Sequence, residues 1–257
     1  MLQMATPFYF NKKSRYTELG RWSEDDLDLL IREAAHIEDT GERIAFLSAH
    51  FLGIGYKEFT LIGSAGTPEK LVINLEWVDC FTFIDYVEAM RLSRSFLEFK
   101  KNLKRVRYQS GVVDFIQRNH FFTDWIVFNN NFVEDVTERV GGQKTEKITK
   151  TLNIKEDGTY FLKGIGFTKR EICYIPTKMI DDTVIIGLQN GDYAGIYTGR
   201  EGLDVSHVGI IIKNKGKTFL RHASSLETNR KVIDQNLKGY LTNKPGLLVL
   251  RAKDGNP

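Results

Sequence analysis

The two halves of this 257-residue chain carry different hydrophobic periods, and that segregation most limits the folds open to it. In the first half, apolar residues recur every three or four positions. Ser23, followed by Glu24, Asp25 and Asp26, reads as the cap and acidic first turn of a helix with Leu27, Leu30, Ile31, Ala34 and Ala35 on one face. A second helix is expected over about 41–51. A third runs from Cys80 to Ser93, where Phe83, Ile84, Val87 and Met90 repeat at helical spacing. Gly53, Gly55, Gly63, Gly66 and Pro68 mark a loop-rich stretch between them. The second half is built of short β-type runs, at 160–162, 183–186, 205–212, 218–221 and 247–251, broken by turn residues. Helices first and strands later predict an α+β fold rather than alternating βαβ units. With no internal repeat and no clean linker, 1–257 is expected to form a single domain with a helical N-terminal extension and loop insertions. The polar stretch 141–155 is expected as a surface loop or arm.

Composition narrows the function classes. A formal charge of +3, from 36 basic and 33 acidic side chains, is too mild to imply a nucleic-acid partner. The run Lys100 to Arg107 reads as a solvated helix face. No apolar run approaches the roughly 18–20 residues that span a bilayer, so no membrane span is expected. Met1 to Phe10 lacks the pattern of a signal peptide. There are two cysteines, Cys80 and Cys173, too few for a disulfide framework. Cys173 sits in a short β-type run ended by Pro176 and reads as a small buried hydrophobe.

Cys80 reads differently. It falls at the start of a helix directly after Asp79, a good capping residue. A thiol there meets the positive end of the helix dipole and unpaired backbone N–H groups, and both favour thiolate; the neighbouring Asp79 charge opposes it. The histidines sharpen the reading. Val205 to Ile212 and Thr218 to Ala223 form two strands around a turn with Asn214 and Gly216, so they read as a hairpin. A turn centred between Asn214 and Lys215 would set His207 and His222 directly opposite one another; any even-length loop keeps them on one face. A cysteine nucleophile needs an imidazole to take its proton and later protonate the leaving amine, and that imidazole needs a partner to hold its tautomer. Cys80, His207 and His222 fill these roles in order. The oxyanion would be met by the Cys80 N–H and a neighbouring donor at the helix start.

The order Asp-Cys-x-Thr-Phe on a helix, then Ser-His-Val-Gly-Ile, then His-Ala-Ser-Ser resembles the NlpC-type cell-wall peptidases of the papain-like superfamily. It is most similar to their N-acetylmuramoyl-L-alanine amidase-like branch. The likeness extends over most of the chain, through Gly55-Tyr56, Asn119 to Ile126 and Gly202 to His207. It implies a papain-like fold, with the nucleophile's helix packed on an antiparallel sheet that carries the histidines. It implies catalytic roles for Cys80, His207 and His222. It makes Tyr56, Asp79, Asp124, Trp125, Asp204, Ser206 and Ser224 substrate-binding candidates, with Tyr56 and the Thr-Asp-Trp segment lining the groove. The implied substrate is a muropeptide or peptidoglycan, cut at the amide between N-acetylmuramic acid and L-alanine through a thioester. The implied setting is the bacterial envelope, periplasmic or secreted, with no cofactor, no metal, and a monomer as the working form.

Three other readings compete. A stem-peptide endopeptidase of the same fold would differ only in the bond cut. Cys80, His207 and His222 could instead be three zinc ligands, although their spacing matches no familiar zinc pattern. A papain-like module that binds muropeptides without turning them over would retain the fold alone. For the cysteine mechanism with a working thiolate–imidazolium pair, a bell-shaped kcat/KM is expected, with the thiol limiting on the acid side and the imidazole on the basic side.

Overall fold

The computed structural model describes residues 16–254, so the reading of Met1 to Phe10 lies outside the described residues. Four helices lead: α1 (Glu24–Ala35), α2 (Thr40–Ala49), α3 (Cys80–Arg91) and α4 (Phe96–Arg107). Local chemistry explains their starts. The Ser23 side chain accepts from the Asp26 N–H and Asp26 reaches back to the Ser23 N–H, a reciprocal cap. Asp39 and Ser95 cap α2 and α4 in the simpler way, each accepting from the N–H three residues on. Short helices follow: α5 (Asp124–Phe128), α6 (Thr137–Gly141), α7 (Asp182–Gly187) and α8 (Leu237–Leu241).

The principal sheet has eight strands: β1 (Val133–Asp135), β2 (Glu146–Leu152), β3 (Thr168–Pro176), β4 (Tyr193–Tyr197), β5 (Val205–Asn214), β6 (Lys217–Ala223), β7 (Val232–Asn236) and β8 (Gly246–Ala252). Their order is β7-β6-β5-β4-β8-β3-β2, and β1 pairs with the far end of β8. Every pairing in it is antiparallel. Side chains alternate between two cores, as period-two geometry requires. Tyr193, Val208, Ile210 and Leu248 face α1 to α4, while Ala194, Ile196, Ile211 and Leu247 face the layer that contains α6, α7 and α8. The expected helices-then-strands order and the α+β class are found.

Several local expectations change. Residues 183–186 lie in α7, because Asp181 accepts from the Val184 N–H and starts a helix that buries Val184 and leaves Ile186 exposed. Residues 160–162 make only an isolated bridge, Ile154 to Tyr160. The polar stretch 141–155 is largely β2, an edge strand whose first four residues are exposed, so no apolar alternation marks it. The Lys100 to Arg107 patch is not a uniformly solvated face. Arg107 is buried, bonds the Asp85 carboxylate of α3 at 2.8 Å, and donates to the Val72 carbonyl.

That Arg107–Asp85 pair ties α4 to α3. Removing one partner of a buried ion pair strands the other charge away from water, at a cost of about 3–5 kcal/mol. Asp85→Ala is therefore expected to lower the unfolding free energy by about that much in denaturant titration. A change within about 0.5 kcal/mol would show that the guanidinium finds another partner.

Candidate functional site

The start of α3 is set by Asp79. Its Oδ1 accepts from the N–H groups of Phe81 at 3.0 Å and Thr82 at 2.7 Å, and its own N–H donates to Thr82 Oγ1 at 3.0 Å. Cys80 is thus the first helical residue, partly exposed, with its helix packed on the sheet. The backbone N–H groups of Val208, Cys80 and Phe81 favour the thiolate. Burial is the largest influence, and with the Asp79 charge it pushes the thiol up to about 12.

Val208 follows His207, so the sulfur lies beside the start of β5. A bulge shapes this region: Ile196 pairs with His207 and Tyr197 with Val205, leaving Ser206 as the extra, exposed residue, its hydroxyl on the Ile196 carbonyl. The β5–β6 hairpin closes through Lys215 and Gly216, both at positive φ, as a tight two-residue turn of this kind demands. Lys213 pairs with Thr218 and Ile210 with Arg221. The turn centre is therefore one residue later than expected, and His207 and His222 are diagonal rather than direct neighbours. They still share a face, and His207 Nε2 lies 2.8 Å from His222 Nδ1. Gly209 occupies the place beside His222. A Cβ there would come within 3.0 Å of the His222 Cβ and 2.8 Å of the Arg221 carbonyl oxygen.

The second imidazole continues outward. His222 Nε2 lies 3.3 Å from Gln235 Oε1 on β7. The Tyr240 ring of α8 covers both imidazoles, with centroids 5.1 Å from His222 and 6.2 Å from His207. Burial pushes His207 down to about 3, with His222 and Lys244 adding to it. Burial also lowers His222, against the Gln235 bond and the Asp234 charge. The thiol influences Tyr56 as well, whose hydroxyl is raised by burial and by Cys80. Two backbone hydrogen bonds hold Tyr56 there: its N–H donates to the Arg230 carbonyl, and the Lys57 N–H donates to that of Val78. The two imidazoles are turned to one another rather than to a shared point. Among the described residues, no group of three or more His, Cys, Asp or Glu side chains is arranged to hold a metal ion.

Comparison with known proteins gives this arrangement a context. A family model described as N-acetylmuramoyl-L-alanine amidase-like matches residues 46–247. The chain belongs to the N-acetylmuramoyl-L-alanine amidase-like family. An N-acetylmuramoyl-L-alanine amidase of known structure from Bacteroides uniformis is 30% identical, with a TM-score of 0.69; the match covers 83% of this chain and 99% of that one. A Legionella pneumophila protein of known structure, 23% identical with a TM-score of 0.72 over 89% of this chain and 95% of its own, shares the fold. A comparison with curated protein sequences finds no match.

Within this amidase-like chain, Cys80, His207, His222, Tyr56, Asp79 and Ser206 converge on one end of the sheet. Asp79 is there as a cap, with Oδ1 committed to the helix backbone. Four other substrate-binding candidates are buried, among them Asp124 and Trp125, which were expected to line the groove. Trp125 is fully buried, edge-on to Phe81 and Tyr193. Asp124 accepts from the N–H groups of His120 and Phe121 and pairs with Arg170 at 3.0 Å. Asp204 accepts from the Thr123 N–H at 2.7 Å and hydroxyl at 2.9 Å. The Asp204 bonds latch the approach to β5 onto the start of α5. Ser224 is buried within the connection from β6 to β7, where it accepts from the Asn229 side chain at 3.4 Å. Gln235, Tyr240 and Lys244 escaped the sequence reading. Reading Val232 to Asn236 as a third strand against His222 would have found Gln235; nothing local marks Tyr240.

Burial raises the thiol and lowers the imidazole, and both shifts work against the expected ion pair. The kcat/KM profile is still expected to be bell-shaped, but with the limbs exchanged: protonation of the imidazole cuts the acid side and loss of the thiol proton cuts the alkaline side. Alkylation of Cys80 by iodoacetamide should keep accelerating above neutrality, since it follows the thiolate fraction. A rate already level below neutral pH would mean an ion pair at rest. Gly209→Ala should crowd His222 and destabilise the fold by about 1–3 kcal/mol, read from the thermal midpoint. An unchanged midpoint would show that the hairpin makes room.

Proposed function

We propose that this chain is a papain-like, NlpC-type cysteine amidase that hydrolyses the amide between the lactyl group of N-acetylmuramic acid and L-alanine in peptidoglycan or its muropeptide fragments. The observation that carries the chemistry is the thiol of Cys80 at a helix start, with the N–H after His207 turned to its sulfur. The bond comes from the activity for which the Bacteroides uniformis relative, 30% identical, is named.

In this mechanism His207 takes the thiol proton as Sγ attacks the amide carbonyl carbon, and the π pair moves to oxygen. The Cys80 N–H is the helix-start donor to that oxyanion, since those of Phe81 and Thr82 are held by Asp79. Collapse of the intermediate expels the amine of L-alanine, which takes the proton from His207, and leaves a thioester between Cys80 and the lactyl carbonyl. Water then gives a proton to His207 and attacks the thioester, releasing the lactyl carboxylic acid and restoring the thiol. His222 supports the imidazolium that forms at each attack. Tyr56 and Ser206 border the thiol where substrate would approach. A cell-wall substrate places the protein in the envelope, periplasmic or secreted.

Mass spectrometry of muropeptides incubated with the protein tests this directly. Free stem peptide beginning at L-alanine is expected with the wild type, and a rate lower by about a thousandfold or more with Cys80→Ala. Fragments cut within the stem would make it an endopeptidase. Intact muropeptides with folded wild-type protein would defeat the reading.

A further inference from the structure

The two imidazole hydrogen bonds form a chain with a direction, and Gln235 stands at its outer end. We propose that Gln235 is a positioning residue: its amide oxygen, acting through His222, fixes His207 in the tautomer with the proton on Nε2 and the lone pair on Nδ1. The inference rests on the reading above, in which His207 is the base for Cys80.

An amide oxygen accepts and cannot donate. Gln235 Oε1, 3.3 Å from His222 Nε2, therefore calls for a proton on that nitrogen. A neutral imidazole has one N–H, so His222 Nδ1 is left with a lone pair. That lone pair faces His207 Nε2 at 2.8 Å, so His207 must be the donor there. Its own single proton is then spent on Nε2, and Nδ1 is bare. Nδ1 is the ring nitrogen nearer the His207 backbone, and the N–H of the next residue, Val208, bonds the Cys80 sulfur.

Both rings are neutral at working pH. Burial lowers each of them, Lys244 acts on both in the same direction, and Asp234 opposes it only at His222. With one proton per ring, the chain has just two polarities. The reversed one would put a proton on His207 Nδ1 and leave nothing to take the proton of Cys80. The acceptor at the far end therefore decides whether the near end can work as a base, over two rings and without touching substrate. β7 is built to hold it there: Leu220 pairs with Gln235 and His222 with Ile233, so Gln235 and His222 share a face of the sheet, while neighbouring Asp234 is anchored by Arg221 at 2.7 Å.

The tautomer can be read without substrate. In protein labelled with ¹⁵N-histidine, two-bond ¹H–¹⁵N correlation spectra near neutral pH distinguish a protonated from a bare ring nitrogen. His207→Ala and His222→Ala identify the signals. The wild type should show His207 protonated at Nε2 and bare at Nδ1. Gln235→Leu should bring the Nδ1-protonated form into view and lower kcat about five- to tenfold at unchanged KM, as loss of one hydrogen bond implies. Should the leucine variant not fold, by circular dichroism, Gln235→Met supplies the same comparison at native side-chain length. His207 protonated at Nδ1 in the wild type, or a tautomer indifferent to the apolar variant, would overturn the proposal. A wild type with the expected tautomer but no muropeptide turnover would defeat the amidase reading and leave the assignment of Gln235 standing.

Discussion

Everything in this molecule depends on burying α3 against the sheet. Ten of its twelve residues are buried, among them Asp85, Glu88 and Arg91. Charges cannot be taken from water alone, so each has a partner: Asp85 has Arg107 of α4, Glu88 has Arg91 one turn on, and Glu88 also accepts from the Tyr193 hydroxyl of β4 at 2.6 Å. These bonds tie the helix to its neighbouring helix and to the middle of the sheet. Its N-terminus is then delivered to the start of β5, and the thiol arrives at the Val208 N–H.

The site follows from that placement and works against its own setting. Burial suppresses charge on Cys80 and His207 alike, holding the thiol up and the imidazole down. The helix start answers with directed N–H groups, while the Asp79 carboxylate that caps the helix adds to the rise of the thiol. Both shifts favour the uncharged forms. The orientation of the imidazole then matters more than its basicity, and orientation comes from the hairpin, its bulge and the latch from Asp204 to Thr123.

Much of this was legible in the chain. Ser23 and Asp79 announced their helices through caps, and the place of Cys80 at a helix start needed only Asp79 and the spacing of Phe83, Ile84, Val87 and Met90. The two histidines on one face needed only period-two alternation and an even turn. Other features were illegible for physical reasons. β4, the central strand, was missed because it contains Gly195, where Phe122 packs so closely that no side chain fits. β2 was missed because an edge strand in water carries no apolar alternation. α7 misled because β-branched residues favour strand until the Asp181 cap overrules them. Asp124, Trp125 and Asp204 sit in stretches that resemble the family, but a motif cannot say whether a residue faces substrate or supports those that do.

The sequence by itself determined the elements whose causes are local: the capped helices, the hairpin, the shared face of His207 and His222, and Cys80 as the first residue of its helix. Caps, turns and alternation act over a few residues, so they are written where they operate. The tertiary structure decided the rest. It moved the centre of the hairpin turn by one residue, made the imidazoles diagonal neighbours with Gly209 leaving the room, raised the thiol and lowered the imidazole by burial, and brought Gln235, Tyr240 and Lys244 to the site from beyond any motif. These depend on what is near in space and shielded from water, and no window of sequence contains that.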